Sequence, residues 1–243
     1  MDGAFHVIFV QGSRDKTMAR STLDPDHSRA SGSRSTIVGQ LEKDIIFGRL
    51  HPNQRLIEDD LIERFEATRH TVRRAIDELV RLGLAIHQPN KGAYVRDYTI
   101  QEVEELYEIR DTLQTQAIRR MPLPLDAESL ADMQAYHEQH QTAGEAERVD
   151  AVFQLNNAFH ETFFRQCGND SLAEAIRAYA WRTHPIRSRG FLDPDYRKKA
   201  QAEHAAMIEA ARSGARERLI ELNSRHIQRP KELYIRARRL LSA

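Results

Sequence analysis

The chain has 243 residues, and its 36 lysine and arginine side chains balance 36 aspartate and glutamate side chains, so the formal net charge is zero. Hydrophobic residues make up 40% of the chain and charged residues 30%, and no stretch approaches the roughly 18 uncharged apolar residues that a membrane span requires. We therefore expect a soluble protein of two domains with no membrane contact.

The numbers of glycines, prolines and cysteines further limit the fold class and the cellular location that we expect. Only 11 glycines and 8 prolines are present, which favours long helices over a turn-rich all-β fold. The single cysteine, Cys167, excludes an internal disulfide, and no signal peptide is visible, so we expect a cytoplasmic location. Zero net charge does not exclude a nucleic-acid partner, because one domain can carry a basic face while the rest is acidic.

The first 33 residues mix a short apolar patch with a stretch rich in Ser, Asp, Pro and Arg. This stretch has neither helical nor strand periodicity. The composition predicts a disordered tail over residues 1–33, followed by a folded domain from residue 34.

Residues 34–97 follow the pattern of three short helices and a hairpin. Ile37, Leu41 and Ile45 lie one turn apart, as on one face of an amphipathic helix, and two further helical stripes follow. The run LAIHQ-PNKG-AYV at residues 84–95 places two β-prone segments around a four-residue turn. This order predicts a winged helix-turn-helix domain.

The third helix of this domain has the build of a recognition helix. Its apolar side chains share one face and leave basic side chains on the other, near the helix start. Guanidinium groups at this position match the hydrogen-bond acceptors of guanine in the major groove. Thr68 would cap the helix, and the hairpin turn would contact the minor groove. The amphipathic pattern alone fits a solvated basic helix in a bundle equally well. The predicted DNA-binding residues are Thr68, Arg69, His70, Thr71, Arg73, Arg74, Lys91 and Gly92.

The order of these residues resembles the GntR family of bacterial transcription regulators. The stretch GRLHPNQRLIEDDLIERFEATRHTVRRAIDELVRLGLAIHQPNKGAYV follows the family pattern G-x-L-x-P-G-x-x-L, then S-R-x-x-V-R-x-A-L-x-x-L-x-x-x-G-L, then a wing ending R-G-x-x-V, and the resemblance covers residues 35–96. It implies a domain that binds double-stranded DNA. Asn53 and Glu66 stand where the family has glycines, and Arg74 replaces a common Glu and adds positive charge beside the groove.

After a linker near residues 97–99, six helical patterns fill the rest of the chain. Proline and glycine breakers separate them, and they predict a mainly α fold with an all-helical bundle of six or seven helices over residues 100–241. The patterns cover residues 100–120, 127–143, 147–167, 171–189, 195–212 and 215–240.

Polar residues on three of these helices are spaced so that they can meet. Asn156 and His160 lie four residues apart and share a helical face, and His204 and His226 follow on two later helices. Imidazole is the commonest neutral metal ligand, so the set fits a Zn, Ni or Mn site with open positions. Spacing alone leaves the alternative that these are surface histidines or hydrogen-bonded core histidines.

The order of the same residues resembles a second known domain. The segments LNNAFHETFFRQCGN, AEHAAMIEAARSGARERL and NSRHI are similar to the FCD ligand-binding domain of the FadR subfamily of GntR regulators. The resemblance implies that Asn156, His160, His204 and His226 bind a divalent metal at the bottom of an effector pocket, with Asn156 where the family more often has Asp. Because four neutral ligands leave the charge of the metal uncompensated, we expect a small carboxylate effector to complete the site.

Three further residues are predicted to bind the effector. Arg110 matches a family position in the first helix of the FCD domain, where it would either clamp a carboxylate or pair with an acidic neighbour. Asn223 lies three residues before His226 and shares its face. Trp181, the only tryptophan, would wall the pocket or pack in the core, and core packing is the commoner role.

The function predicted from these features is that of a homodimeric repressor or activator that senses a small organic acid through a bound metal. A single winged helix contacts few base pairs, and a two-fold protein matches a pseudo-palindromic operator. One alternative is a hydrolytic metalloenzyme built on His160, His204 and His226, for which Glu161 and Glu203 are poorly placed general bases. The other is a helical interaction module without a ligand. No enzyme motif is present, so no catalytic residue is predicted.

Overall fold

The computed structural model describes residues 25–241, and the predicted tail up to position 24 lies outside these residues. None of the helices described is long and apolar enough to cross a membrane. In chain order the elements are α1 (Pro25–Ile46), β1 (Arg55–Leu56), α2 (Glu58–Phe65), α3 (Arg69–Arg81), β2 (Ala85–Gln88), β3 (Gly92–Val95), α4 (Ile100–Arg120), α5 (Ala127–Glu145), α6 (Val149–Arg165), α7 (Asp170–Arg182), α8 (His184–Arg187), a 3₁₀ turn (Ser188–Leu192), α9 (Pro194–Ser213) and α10 (Arg216–Leu241).

The DNA-binding domain consists of α1 to α3 and a small antiparallel sheet, which confirms the predicted winged helix-turn-helix. The strand order is β1-β3-β2, with Arg55 opposite Tyr94 and Ala85 opposite Val95. Strand β1 cannot be predicted from an alternation of apolar and polar residues, because a strand of two residues is too short to show one. One core joins the helices to the sheet, formed by Ile37, Leu41, Ile45, Leu56, Leu61, Val72, Ala75, Ile76, Leu79, Leu84, Ala85, Ala93 and Val95.

Helix α1 begins earlier than the sequence predicts. The periodic stripe starts after Ser35, whereas the helix starts at Pro25, so residues 25–33 belong to a helix and not to the predicted tail. These residues include three serines and carry no apolar stripe, so periodicity gives no signal for them. Proline is well suited to the first helical position, because the N–H that it lacks would have no partner there.

Two departures from the family pattern fall where the backbone is left-handed. Asn53 has φ 63° in the turn before β1, and Glu66 has φ 48° at the end of α2. Glycine adopts this region without cost and asparagine tolerates it, whereas glutamate does so with strain. The left-handed backbone at these two positions therefore accounts for the glycines that the family has there. This chain forms the same turn between α2 and α3 although Glu66 replaces the glycine.

The second domain is a bundle of seven α-helices, α4 to α10, within the predicted range. The helix predicted over residues 171–189 is broken, because α7 ends at Arg182 and Pro185 lacks the N–H that a continuing helix needs. The short α8 then carries His184 and Arg187 into the interior. The main core contains Ala117, Ile118, Met121, Leu125, Met133, Phe159, Phe163, Phe164, Cys167, Ile176, Met207, Ile208, Ala210, Ala211, Leu219 and Leu222.

The two domains pack together through the end of α1. Ile46 lies in an apolar cluster with Phe153, Phe191 and Tyr196 of the bundle. The Ser188 hydroxyl donates a 2.6 Å hydrogen bond to the Ile46 carbonyl. Helix α1 therefore contacts both the DNA-binding domain core and the bundle.

Helix α10 carries Pro230 in its interior. Because proline has no N–H, no backbone hydrogen bond from this position closes on the carbonyl of His226, four residues earlier. Beyond Pro230 the helix reaches the linker between the domains, where Arg238 pairs with Asp97 at 2.7 Å. The helix thus extends from the bundle core to the domain junction.

Candidate functional site

The predicted DNA-binding residues lie at the start of α3, along its outer side and on the hairpin turn. Thr68 accepts a 3.2 Å hydrogen bond from the Thr71 backbone N–H, which confirms the predicted cap. The Thr71 side chain is buried and its hydroxyl lies 2.9 Å from that of Thr68, so it faces the helix end and not solvent. The exposed members of the set are Thr68, Arg69, His70, Arg73, Arg74, Lys91 and Gly92.

Two of the exposed arginines are held by carboxylates of α2. Arg69 contacts Glu58 at 3.1 Å and Asp59 at 2.5 Å, and Arg73 contacts Glu58 at 2.9 Å. The arginine side chains are 53% and 61% exposed, so water screens these pairs. A phosphate can therefore replace a carboxylate in such a pair at small cost, and Arg74 lies exposed beside them.

In the bundle, three of the predicted metal ligands come together from α6, α9 and α10. Nε2 of His160 lies 3.1 Å from Nε2 of His226 and 3.3 Å from Nε2 of His204. One ligand atom from each ring lies within 4.8 Å of the other two. Burial, reinforced by the neighbouring His226, holds the pKa of His160 and of His204 well below the ordinary value, so both rings are neutral. This histidine cluster can offer three ring nitrogens to one cation.

Glu203 orients one ring of the histidine cluster. Its Oε2 atom accepts a 2.8 Å hydrogen bond from Nδ1 of His226, and Arg229 donates to its other oxygen. Burial raises the pKa of Glu203, but the bond from His226 and the nearby arginines more than offset this and leave it below the usual value. The ionised carboxylate keeps the proton of His226 on Nδ1, so the Nε2 lone pair is directed to His160. Sequence reasoning missed this role, because His226 lies on another helix.

Asn156 is placed beside the same histidines. It is 2% exposed and lines a cavity of about 20 Å³ together with His160 and His226. A space of this size holds one water molecule or one ion. Glu203 keeps the proton of His226 on the far side of its ring, so its Nε2 is an acceptor, and either a proton on Nε2 of His160 or a cation can lie between the two nitrogens. Three ring nitrogens and the amide oxygen of Asn156 are a donor set that divalent metals accept. The residues present therefore fit a divalent metal.

A larger pocket of about 360 Å³ adjoins the histidine cluster between α4, α6, α7 and α8. Its wall includes His160 together with Arg110 and Arg187, which are both only 6% exposed. Its exposed rim carries the ion pair of Arg165 with Glu161, at 3.5 Å. The volume is that of a small-molecule site, and the buried wall is cationic.

Arg110 and Arg187 have no carboxylate partner in the part of the chain that the structure describes. Nε and Nη1 of Arg110 and Nε of Arg187 are buried without a hydrogen-bond partner. Arg187 donates to Asn157, and its guanidinium group lies 5.4 Å from the ring centroid of Phe153. The guanidinium group of Arg110 lies 5.0 Å from the ring centroid of Tyr107. Burial, and then the charge of Arg110, lowers the pKa of Arg187 to about 10, which leaves it charged at neutral pH. An unpaired buried cation is costly, so this wall is suited to an anion.

The other two predicted effector residues are placed differently from each other. Trp181 lines the pocket and stacks on His184, with ring centroids 5.2 Å apart. Asn223 is buried behind Gln114, to which its amide nitrogen donates at 3.2 Å, and it does not line the pocket. Sequence reasoning missed Arg187, because its burial depends on the helix break that precedes it.

The pocket wall touches the DNA-binding domain through a buried pair. Nδ1 of His184 lies 3.3 Å from Oε1 of Glu42 on α1, and the two side chains are 3% and 13% exposed. Burial, against the smaller effect of Lys43, raises the pKa of Glu42 to about 7, and burial holds the pKa of His184 well below the ordinary value. Just below pH 7 both groups are therefore neutral, and a residue of the pocket shares a hydrogen-bond contact with α1.

Two protein families match the chain. The gntR family of bacterial regulatory proteins matches residues 33–95, and the FCD domain matches residues 105–229, which is more than half of the 243 residues. The HTH-type transcriptional regulator BphR of Paraburkholderia xenovorans (strain LB400) is 27% identical over 195 residues, which cover 78% of this chain and 80% of that protein. The HTH-type transcriptional repressor RspR of Escherichia coli (strain K12) is 26% identical over 121 residues, which cover 50% of this chain and 53% of that protein.

Solved structures share the architecture. A protein designated GntR from Rhodococcus sp. RHA1 superposes with a TM-score of 0.71 at 19% identity, over 85% of this chain and 99% of that one. McbR/YncC of E. coli superposes with a TM-score of 0.68 at 19% identity, over 84% of this chain and 98% of that one. These likenesses confirm the predicted fold class.

Proposed function

The chain belongs to the GntR family of bacterial transcriptional regulators with a C-terminal FCD domain, an architecture consistent with the FadR subfamily, and from this premise we propose that a small organic acid controls its binding to DNA. The family and the relatives are transcriptional regulators and not enzymes, so the metalloenzyme alternative is set aside. The observation that carries the proposal is the pair of buried guanidinium groups, Arg110 and Arg187, that face the pocket without a carboxylate partner among the described residues.

We assign the DNA contact to the exposed side of α3 and to the hairpin turn. The recognition helix of a winged helix-turn-helix enters the major groove, where Arg69 and Arg73 would exchange their carboxylates for phosphate or guanine. One such domain contacts few base pairs, so the proposal includes a homodimer on a pseudo-palindromic operator. The proposed contacts are Thr68, Arg69, His70, Arg73, Arg74, Lys91 and Gly92, with Thr71 assisting the cap.

His160, His204 and His226 would hold a divalent metal, either Zn, Ni or Mn, with Asn156 as the fourth ligand. Three neutral imidazoles and one amide oxygen form a donor set that these ions accept. When bound, the metal supplies positive charge to which a carboxylate can bind. Because none of the four ligands is anionic, that charge adds to the charges of Arg110 and Arg187. The proposed effector is a carboxylate small enough for the pocket of about 360 Å³.

The route from the pocket to the DNA-binding domain runs through Trp181 and His184. A ligand changes operator affinity only if it binds one arrangement of the protein better than another. A ligand in the pocket would contact the indole that stacks on His184, and the partner of His184 is Glu42 on α1. This contact supports a coupling between effector and DNA.

The test has two steps, of which the first is elemental analysis of purified, tag-free protein. We expect near-stoichiometric metal in the wild type and its loss in His160→Ala and in His204→Ala. His87→Ala, which changes an exposed histidine on β2, is the matched control and should keep the metal. A wild type that takes up none of the added Zn, Ni or Mn would overturn the metal half of the proposal.

The second step measures carboxylate binding and DNA release. A DNA duplex is selected from a random pool with the wild-type protein, and acetate, lactate, succinate and citrate are titrated into the complex. Calorimetry then compares the affinity for each acid with and without metal, and we expect tighter binding to the metal-loaded protein. Equal affinity in both states contradicts the role of the metal, and unchanged DNA affinity in saturating acid contradicts the control of DNA binding.

A further inference from the structure

Four buried ring nitrogens beside the histidine cluster have no hydrogen-bond partner among the described residues. They are both ring nitrogens of His140, Nδ1 of His137 and Nδ1 of His204. His140 and His204 are completely buried and His137 is 4% exposed, so bulk water does not reach them. Each buried polar group without a partner loses the hydrogen bonds that water would give it, so four of them in one place require an explanation.

The three rings lie together where α5 packs on α9. The centroid of the His204 ring is 5.4 Å from that of His140 and 6.3 Å from that of His137. His137 and His140 are three residues apart and share one face of α5. Burial lowers the pKa of His140 to about 4 and also lowers the pKa of His137, so both rings are neutral at physiological pH.

Donors and acceptors can be balanced among these nitrogens. A neutral imidazole offers one N–H donor and one acceptor nitrogen. If one water molecule passes the hydrogen bond from Nδ1 of His204 to His140, and a second passes it from His140 to Nδ1 of His137, each of the four nitrogens is used once. The opposite direction also balances, but it places the proton of His204 on Nε2, where it would block the histidine cluster.

We propose that His204, His140 and His137 form a histidine relay, bridged by single bound water molecules, that keeps the proton of His204 on Nδ1. The relay leaves the Nε2 lone pair of His204 free for a metal. Glu203 already does the same for His226. His140 and His137 are thus positioning residues that act through His204.

This inference rests on the proposed metal site and adds two residues outside its ligand set. Neither His137 nor His140 is among the candidate ligands that the sequence predicts, and neither shares their helices. Partners that orient a metal-binding histidine change metal affinity by about 10–100-fold when they are removed. The relay therefore has a measurable effect apart from any effector response.

The tautomer is measured first, in the metal-free, full-length protein labelled with ¹⁵N at histidine. Long-range ¹H–¹⁵N correlation spectra distinguish a ring nitrogen that carries a proton from one that does not. We expect the proton of His204 on Nδ1 in the wild type, and a shift toward Nε2 in His140→Leu. A wild-type His204 that is protonated on Nε2 overturns the relay, whether or not the protein binds metal.

Zinc affinity is measured second, by competition with a chelator. We expect His140→Leu to lose about 10–100-fold in affinity, and His140→Gln, which keeps a donor and an acceptor, to recover part of it. Met133→Leu, a buried change on the same helix, is the matched control and should bind zinc like the wild type.

The outcomes separate the relay from the metal site itself. Equal zinc affinity of His140→Leu and the wild type overturns the relay and leaves the metal site intact. A wild type that binds no zinc contradicts the metal site. In that case the tautomer of His204 in the metal-free protein is the only test of the relay. The same measurement decides it if His140→Leu does not fold.

Discussion

Both domains of this regulator contain a pair of arginines at a predicted binding site, and the two pairs differ in solvent exposure and in their contacts with carboxylates. On the DNA-binding domain, Arg69 and Arg73 are more than half exposed, and each contacts a carboxylate of α2. In the bundle, Arg110 and Arg187 are 6% exposed and contact no carboxylate in the described part of the chain. Both pairs are suited to an anion, but for different physical reasons.

The difference lies in what an incoming anion replaces. On the exposed face it replaces a weakly bound carboxylate, so the change in free energy is small. In the pocket it meets a guanidinium that has lost its hydration, so the gain is large. The DNA face is therefore suited to exchange among many phosphates, whereas the pocket is suited to retain one ligand. Substitutions in the two regions should differ in the size and the sign of their effects.

The largest effect is expected for Arg187→Met. Methionine removes the unpaired charge and fills much of the same volume, so the free energy of unfolding of the ligand-free protein should rise by about 1–4 kcal/mol. The same change should weaken binding of the effector acid by about 2–5 kcal/mol, because its carboxylate loses a buried partner. Urea unfolding and calorimetry measure the two effects.

Arg165→Met is the matched control for this variant, because Arg165 lies at the rim and its side chain is 64% exposed. It should change either quantity by less than about 1 kcal/mol. If Arg187→Met instead destabilised the ligand-free protein, the contrast between paired and unpaired arginines would be wrong.

A smaller effect, confined to one range of pH, is expected at the domain junction. Folding raises the pKa of Glu42 from 4.5 to about 7. The stabilising contribution of the protonated carboxyl is therefore complete below pH 4.5 and is lost as the pH rises through about 7. Glu42→Gln is neutral at every pH and should flatten this dependence, which amounts to roughly 3 kcal/mol. Chemical unfolding on either side of the range measures it.

Glu63→Gln supplies the comparison, because Glu63 is an exposed carboxylate on α2. It should reproduce the wild-type dependence of stability on pH. If the stability of Glu42→Gln depended on pH as that of the wild type does, the buried carboxyl would not be protonated in the folded protein.

The smallest effect is expected on the DNA face. Glu58 contacts both Arg69 and Arg73, so Glu58→Gln frees Arg73, whereas Arg69 keeps its contact with Asp59. We expect non-specific DNA affinity to rise by less than about fivefold, and the slope of log affinity against log salt to steepen by up to about one. Asp60→Asn removes the same charge from an exposed position on α2 and should have less effect. Equal slopes in the two variants would show that the freed Arg73 does not reach DNA.

Much of the architecture is predictable from residues that are close in sequence. The stripe of Ile37, Leu41 and Ile45 and the cap at Thr68 depend on local geometry, and the structure confirms both elements. The family follows from motifs with fixed spacing, and the family matches confirm it. The histidines of the metal site were predicted because each motif lies within one helix, although their use of a metal stays a prediction.

Features that depend on distant segments are not predictable in this way. Arg187 is buried because of the helix break at Pro185, and Glu203 bonds a ring that is 23 residues away in the chain. The carboxylate of Glu58 reaches Arg73 from another helix. A sequence pattern states that a side chain is charged, but its burial and its partner are properties of the packed structure.

Pro230 lies between two segments of α10 that make different contacts. Upstream, His226 faces the histidine cluster, and downstream, Arg238 holds Asp97, whose carboxylate also accepts a 3.0 Å hydrogen bond from Asn53 in the DNA-binding domain. Because Pro230 donates no bond to the carbonyl of His226, the helix can bend there without breaking a further backbone hydrogen bond. We therefore expect α10 to bend most easily one turn beyond the histidine cluster, so that a displacement of His226 would change direction before it reaches the linker.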